Sequence, residues 1–503
     1  MGKKEKAVIK NSSIGLISQA VTMLFTFVTR SLFIKYIGVE LLGLNSTFSS
    51  VLTALSLAEL GFQSAIVYNL YKPLHDNNIE EVNSIMNILK LIYRGVGFFF
   101  IVAVFLLTFF LRFIITGIKI TTTVYVYFWL QALASVCTYF LAYKRAILYA
   151  DQKEYISKIV DLFFSIILNI FQCAVLIEFK SYTGYLVLKV VQTYVSNLAI
   201  HFYCTKHYSY LRKAALDKSR LVKILYDVRD IFASKIASFI YGSTDNLVIS
   251  AFVSTISVGL FVNYTTITTS LKTLTNSALS PVVPILGNHL LDERDINKRE
   301  KVFLLDTYVR YFIALMIVVP TGVLIDDFIV WWVGKEMVLS NSIVILLCMD
   351  LYIHLVHSAS VDFINSAGLF KTDKYIEVLG AACNIVISLI FVQYFGIEGV
   401  LIGTVVSQGV FWIGRSLIVY KECLHLGIRS YLGYWLKNLY YIIVTIVVAV
   451  IVMNIYKKIR ITSVLIRFAA GGIVSEVVVA AMTTVIFWRS EEMKELRRIL
   501  FKR

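Results

Sequence analysis

The chain has little charge and very little proline for its length. Only 16% of its 503 residues are Asp, Glu, Lys or Arg, against about 25% in soluble globular proteins. It has 4 prolines, whereas an average content of about 5% would give roughly 25. The low charge excludes an ordinary soluble protein, and the scarcity of proline predicts long uninterrupted helices.

The sequence also lacks the motifs of the common enzyme classes. It has no G-x-S-x-G, no P-loop and no glycine-rich dinucleotide fingerprint. Its six cysteines lie far apart with no C-x-x-C pair, so we interpret them as small apolar residues and not as a disulfide or zinc framework. We therefore predict a protein that is not an enzyme and has no cofactor, with any driving force supplied by a gradient or the membrane potential.

Apolar residues dominate the chain. They make up 58% of it, and the mean hydropathy is +0.76. Because about 20 apolar residues span a bilayer, the apolar runs predict an all-α integral membrane protein with about 14 transmembrane helices. We place these spans at 13–37, 44–71, 91–115, 122–148, 157–179, 182–205, 227–252, 256–288, 304–330, 341–368, 375–395, 397–420, 433–456 and 462–488.

The formal net charge of +16 comes from 48 basic and 32 acidic residues. In a soluble protein this excess would indicate nucleic acid, but in a membrane protein it is the usual excess of Lys and Arg on the cytoplasmic side. Most of the 48 fall in alternate connections and at both ends, which predicts cytoplasmic termini and no nucleic-acid partner. The external connection 457–467 is basic and violates the rule.

Weak internal similarity predicts two parallel halves. An offset of 215 aligns 183–192 with 398–407, and an offset of 216 places Gly43 on Gly259 and 64–74 on 280–290. A shift of six spans gives two pseudo-symmetric six-helix lobes around a central cavity, plus two C-terminal helices. The predicted domains are an N-terminal lobe over 1–225, a C-terminal lobe over 226–430, spans 13 and 14 over 431–490 and a basic cytoplasmic tail over 491–503.

Ionisable residues inside the predicted spans are the candidate functional residues, because each costs about 2.5–3.5 kcal/mol to insert. We expect five cations to bind substrate in the cavity, and four other groups to act in gating or ion coupling. The cations are Arg30, Lys189, Lys235, Lys272 and Arg415, and the other four are Glu59, Asp245, Asp350 and His354. The excess of cations favours an anionic substrate. The alternative is that they form structural ion pairs between packed helices.

Asp350, His354 and His357 are spaced to share one helical face. The three groups could ligate a metal, relay a proton or simply pack as polar residues. No fourth ligand is visible in the sequence, so we predict no metal site.

Several segments resemble the polysaccharide-transport branch of the multidrug/oligosaccharidyl-lipid/polysaccharide exporter superfamily, the Wzx-type flippases of lipid-linked oligosaccharides. They read LSLAELGFQSAIVYNLYKPL (55–74), AYKRAILYADQKEYI (142–156), STDNLVISAFVSTISVGLFVNY (243–264) and NIVISLIFVQYFGIEGVLIGTVVS (384–407). The resemblance implies flipping of an undecaprenyl-diphosphate-linked oligosaccharide across a bacterial plasma membrane by alternating access. The implied partners are this cargo, membrane lipid, and the polymerase and glycosyltransferases of the same pathway.

In similar proteins cationic side chains hold the diphosphate, a role that Arg30, Lys272 and Arg415 fit by position. Two other functions stay open. A cation-coupled multidrug exporter of the same fold would use Glu59 and Asp245, although the excess of cations argues against it. A membrane-embedded polymerase or ligase usually has long external loops, which the predicted topology does not contain.

Overall fold

A computed structural model describes residues 3–56, 62–212, 222, 243–279, 282–283, 286 and 295–500. These residues are helical with short connections and form no strand. The chain divides into two compact units, unit 1 over Met1–Gly259 and unit 2 over Leu260–Arg503. The predicted lobe boundary at 225 and 226 lies outside the described residues and stays a prediction.

Unit 1 contains long apolar helices joined by short turns. In chain order the helices are α1 (Lys3–Tyr36), α2 (Val39–Leu55), α3 (Phe62–His75), α4 (Ile79–Ile114), α5 (Thr122–Leu141), α6 (Arg145–Ala150), α7 (Glu154–Ala174) and α8 (Tyr182–His207). A ninth helix, α9, covers residues 243–252. Two apolar cores hold the unit together, one around Phe48, Phe100 and Phe128, and one around Ile88 and Ile147.

Unit 2 is built in the same way. Its helices are α10 (Thr255–Leu279), which starts at the end of unit 1, α11 (Ile296–Trp332), α12 (Asn341–Ala367), α13 (Phe370–Phe395), α14 (Ile397–Ile418), α15 (Ile428–Tyr456), α16 (Val464–Phe487) and α17 (Glu491–Leu500). Stacked aromatic rings fill its core, including Tyr311 on Tyr441 with ring centroids 4.2 Å apart.

Polar residues and glycines define where the helices begin and end. Ser181 and Ser340 cap α8 and α12 by accepting backbone N–H groups of the first turn. Gly368 and Gly396, with φ of 70° and 60°, reverse the chain between helices in a conformation that favours glycine. The short connections follow from these local signals.

Two glycines allow α2 and the first turns of α10 to come very close together within unit 1. A Cβ on Gly43 would lie 1.9 Å from the carbonyl oxygen of Thr255, and a Cβ on Gly259 would lie 2.3 Å from that of Val39. The contact is reciprocal at the sequence offset of 216, since Gly43 corresponds to Gly259 and Val39 to Thr255. Equivalent positions of the predicted repeat therefore contact each other here, where there is no room for a side chain on either glycine.

The predicted all-α membrane fold is confirmed. In the described part of the chain, ten helices are long and apolar enough to cross a membrane. The predicted last hairpin, over 433–456 and 462–488, agrees closely with α15 and α16. Of the four basic residues of 457–467, Arg467 has a buried partner, because it donates to Asp327 of α11 with Nε and Oδ2 2.7 Å apart.

Candidate functional site

The predicted site residues fall in both units. Arg30, Lys189 and Asp245 lie in unit 1, on α1, α8 and α9. Unit 2 contains the other four described residues, namely Lys272 on α10, Asp350 and His354 on α12, and Arg415 on α14. Glu59 and Lys235 lie outside the described residues, so their roles stay predictions.

In unit 2, Lys272 forms a buried ion pair with Asp350. The ammonium nitrogen lies 2.5 Å from Oδ2 of Asp350, and the two side chains are 18% and 7% exposed. The amide of Gln408 donates to the other carboxylate oxygen at 3.1 Å. This pair neutralises two of the nine predicted intramembrane charges and joins α10, α12 and α14.

Arg415 is also neutralised within unit 2. Its guanidinium donates to both oxygens of Asp373, at 2.7 and 3.0 Å, and to Glu377 at 3.1 Å. The ring nitrogen Nε2 of His357 lies 3.3 Å from Nη1 of the same arginine. Because two carboxylates already bind it, Arg415 is held as a structural ion pair between α13 and α14.

His354 lies between these two charged groups on the face of α12. Its Nε2 atom is 3.3 Å from the amide nitrogen of Asn276 on α10. The predicted alignment of Asp350, His354 and His357 therefore exists, but a different partner faces each of the three groups. In the described part of the chain, no three His, Cys, Asp or Glu side chains are placed to hold a metal ion.

The nine intramembrane charges predicted from the sequence omit a buried cluster centred on Arg310 of α11. Its guanidinium, 3% exposed, lies 3.4 Å from Asp306 and also binds Asp362 of α12. The available signal was the Asp306 and Arg310 pair at i and i+4 near the start of an apolar run.

In unit 1 the surroundings of the cations are aromatic and polar. Arg30 lies near the Tyr185 hydroxyl, and the preceding residue, Thr29, donates to Asn169 at 2.9 Å. Tyr182 and Tyr185 pack against Phe33, and the Tyr182 hydroxyl donates to Asn45. This group of rings borders the α1 and α8 faces that carry the two cations.

Lys189 lies one helical turn beyond Tyr185 on α8, so the two side chains share a face. It is partly buried and forms no ion pair with any described residue. Lys189 therefore differs from Lys272, Arg310 and Arg415, each of which has a carboxylate within its own unit.

Asp245 lies in α9, and its neighbour Asn246 donates to Ser50 of α2 at 3.1 Å. The repeat offset of 216 places Arg30 of α1 on Asn246. The predicted repeat therefore pairs a cation in α1 with a neutral amide in α9.

A polar cavity of about 430 Å³ lies within unit 1, where Arg145 and Asp161 face each other. Their bidentate pair has N to O distances of 2.6 and 2.8 Å, and Nε of Arg145 donates to Asn197. Neither residue was among the predicted site residues. A second cavity of about 450 Å³ in the same unit is lined by apolar side chains of α2, α4 and α9, such as Leu55, Leu107 and Leu247.

A family model described as "Polysaccharide biosynthesis protein" matches residues 8–289. No curated protein matches the chain. A solved structure of "Lipid II flippase MurJ, inward closed conformation" is similar, with a TM-score of 0.71, 15% identity, and coverage of 95% of this chain and 99% of that one.

Two transporter structures are also similar. A multidrug resistance MATE family transporter of the MOP superfamily, inward-facing, gives a TM-score of 0.65 at 15% identity, covering 79% of this chain and 94% of that one. A mutant of the Vibrio cholerae MATE transporter VcmN gives 0.56 at 14% identity, covering 83% and 98%. At these identities the likeness establishes the fold, a helical fold shared by flippases and exporters.

Proposed function

This chain belongs to the polysaccharide biosynthesis protein family, and we propose that it flips an undecaprenyl-diphosphate-linked oligosaccharide repeat unit. The direction is from the inner to the outer leaflet of a bacterial plasma membrane, with both termini cytoplasmic, and the mechanism is alternating access. The cargo would be made by glycosyltransferases and used by a polymerase of the same surface-polysaccharide pathway. The likeness to a structure titled as a lipid II flippase supports a lipid-linked cargo.

The observation that carries the proposal is the different pairing of the intramembrane charges. Lys272 and Arg415 each have a carboxylate partner in unit 2, whereas Lys189 has none among the described residues. A lysine left partly buried without a counter-charge is costly unless an anion reaches it. A diphosphate meets this need, because it carries the negative charge that Lys189 and the nearby Arg30 can bind.

A cation-coupled multidrug exporter is the second candidate, supported by the similar MATE transporter structures. Such a protein needs an accessible carboxylate for a cationic substrate. Asp350, Asp362 and Asp373 are instead bound to Lys272, Arg310 and Arg415 respectively. These three carboxylates are therefore already bound to cations, whereas Glu59 lies outside the described residues and Asp161 of unit 1 stays 44% exposed.

The test replaces Arg30 and Lys189 by Gln in a strain whose own gene is deleted. Losing a hydrogen bond to a charged group costs about 1.5–3 kcal/mol, or roughly 10- to 150-fold in affinity. We expect surface polysaccharide to fall sharply at unchanged protein level, and the lipid-linked repeat unit to accumulate inside. Lys206→Gln, at the exposed end of α8, is the matched control.

The result also separates the two candidates. Normal surface polysaccharide in the deletion strain, together with increased drug susceptibility, would favour the exporter. Normal polysaccharide from both Gln variants would instead refute the role of Arg30 and Lys189 while leaving the flippase function in place.

A further inference from the structure

The polar cavity of unit 1 is unusual for the interior of a membrane protein. Of its fourteen lining residues, six are Ser or Thr, two are Asn or Gln, two are Tyr, and one each is Arg and Asp. Only Ala142 and Leu162 are apolar. Polar groups are expensive inside a bilayer, so a concentration of twelve around one cavity favours contact with water or a polar ligand.

The charge of the cavity is balanced. Arg145 is the one cation in its lining and Asp161 the one anion, and they form a bidentate ion pair. A diphosphate would find no net positive charge here. The lining therefore favours a neutral ligand rich in hydroxyl groups.

Several groups facing the cavity keep capacity for further hydrogen bonds. Arg145 uses three of its five N–H groups on Asp161 and Asn197. The Asp161 side chain is 44% exposed, and its carboxylate can accept from more than one donor. The amide nitrogen of Gln192 makes no hydrogen bond within the described part of the chain, although its oxygen accepts from Thr193 at 3.4 Å.

Donors and acceptors of this kind, combined with aromatic rings, suit a carbohydrate. Carboxylate and amide groups bind adjacent sugar hydroxyls in pairs, and the rings of Tyr93 and Tyr149 line the same space. The volume of about 430 Å³ lies within the roughly 300–1,000 Å³ of small-molecule sites.

The cavity lies toward one end of its helices. Arg145 starts α6, Asp161 is two turns into α7, and Asn197 is less than three turns before the end of α8. The connection over 151–153, which follows α6, is on the side that the basic residues assign to the cytoplasm. A sugar entering from the leaflet where lipid-linked repeat units are made would meet the cavity first.

We propose that this cavity binds the glycan of the cargo through neutral sugar hydroxyls, apart from the cations that bind the diphosphate. The assignment rests on the proposed function and adds a specificity site to it. Amide, hydroxyl and carboxylate groups of unit 1 would then distinguish one sugar from another.

The test uses the full-length protein in lipid nanodiscs and two probes. One is undecaprenyl diphosphate without sugar, and the other is the lipid-linked repeat unit extracted from cells that lack this protein. Gln192→Leu removes a donor that has no hydrogen-bond partner among the described residues, and Thr22→Trp fills the cavity from an exposed position on α1. We expect each variant to weaken binding of the sugar-bearing probe at least fivefold and to leave binding of undecaprenyl diphosphate unchanged.

Gln393→Leu, at an exposed position of α13, is the matched control and should bind both probes like the wild type. If both cavity variants bind the sugar-bearing probe normally, or lose both probes equally, the glycan assignment is overturned and the proposed function stands. If the wild type binds neither probe, the proposed function itself is contradicted, and the glycan assignment with it.

Discussion

The Lys272 and Asp350 pair allows the structural and functional roles of an intramembrane cation to be separated. Lys272→Met removes the cation from the Asp350 carboxylate, whose side chain is 7% exposed, while the Gln408 amide still donates to it. Removing one member of a buried ion pair costs about 3–5 kcal/mol. Because Gln408 still donates to the carboxylate, we expect the lower end, about 3 kcal/mol, or roughly 150-fold in the ratio of folded to unfolded protein.

The double variant Lys272→Met with Asp350→Asn removes both charges and keeps a polar group for Gln408. A neutral replacement of a buried pair is often close to neutral for stability. We expect it to recover most of the loss, leaving about 1 kcal/mol for one hydrogen bond. The double variant should therefore be about 2 kcal/mol more stable than Lys272→Met alone.

The assay is thermal unfolding of the detergent-solubilised protein followed by size-exclusion chromatography, with surface polysaccharide measured in parallel. Lys457→Met, in the exposed connection after α15, is the matched control for the loss of a lysine. A single variant as stable as the wild type would refute the reasoning that the pair stabilises unit 2. A double variant that is stable but inactive would show that Lys272 or Asp350 also acts in transport, and a stable and active one would make the pair purely structural.

Two further predictions concern packing. Arg310→Met leaves the buried carboxylates of Asp306 and Asp362 without their cation, so we expect the free energy of unfolding to fall by at least about 3 kcal/mol. Adding Asp362→Asn should restore part of this stability, as measured by the same unfolding assay. Gly43→Ala puts a methyl group 1.9 Å from a backbone oxygen, so the protein level should fall strongly. The control Gly409→Ala has nothing within 4 Å of the added methyl group and should express normally. Equal protein levels of the two variants would contradict the close contact.

Composition and apolar runs were enough to predict the membrane fold, because each helix must satisfy its own backbone inside lipid. The same physics made the spans near 433–456 and 462–488 easy to place. The pairing of charged side chains between helices was much less predictable. Asp373 and Glu377 lie at the start of the α13 segment, and nothing in the local sequence indicates that Arg415 on the next helix binds both.

The missed arginines illustrate the same limit. Arg145 and Arg310 lie near charged segments, where an exposed position is the usual expectation. Each is nevertheless covered because a carboxylate on a neighbouring helix, Asp161 or Asp362, offers a bidentate or charged partner. Contacts between different helices, 16 residues apart for Arg145 and 52 for Arg310, decide the burial of such residues, and the local sequence does not contain that information.

The unpaired charge inside the membrane is thus smaller than the number of ionisable residues in the predicted spans implies. Lys272 and Arg415 are neutralised by carboxylates in unit 2, as Arg145 is by Asp161 in unit 1. Lys189 has no such partner among the described residues. The predicted preference for an anion therefore depends on unit 1, where a hydroxyl-rich cavity lies nearby on the same α8 helix. A diphosphate joined to a glycan is a cargo whose two chemical parts match these two different surroundings.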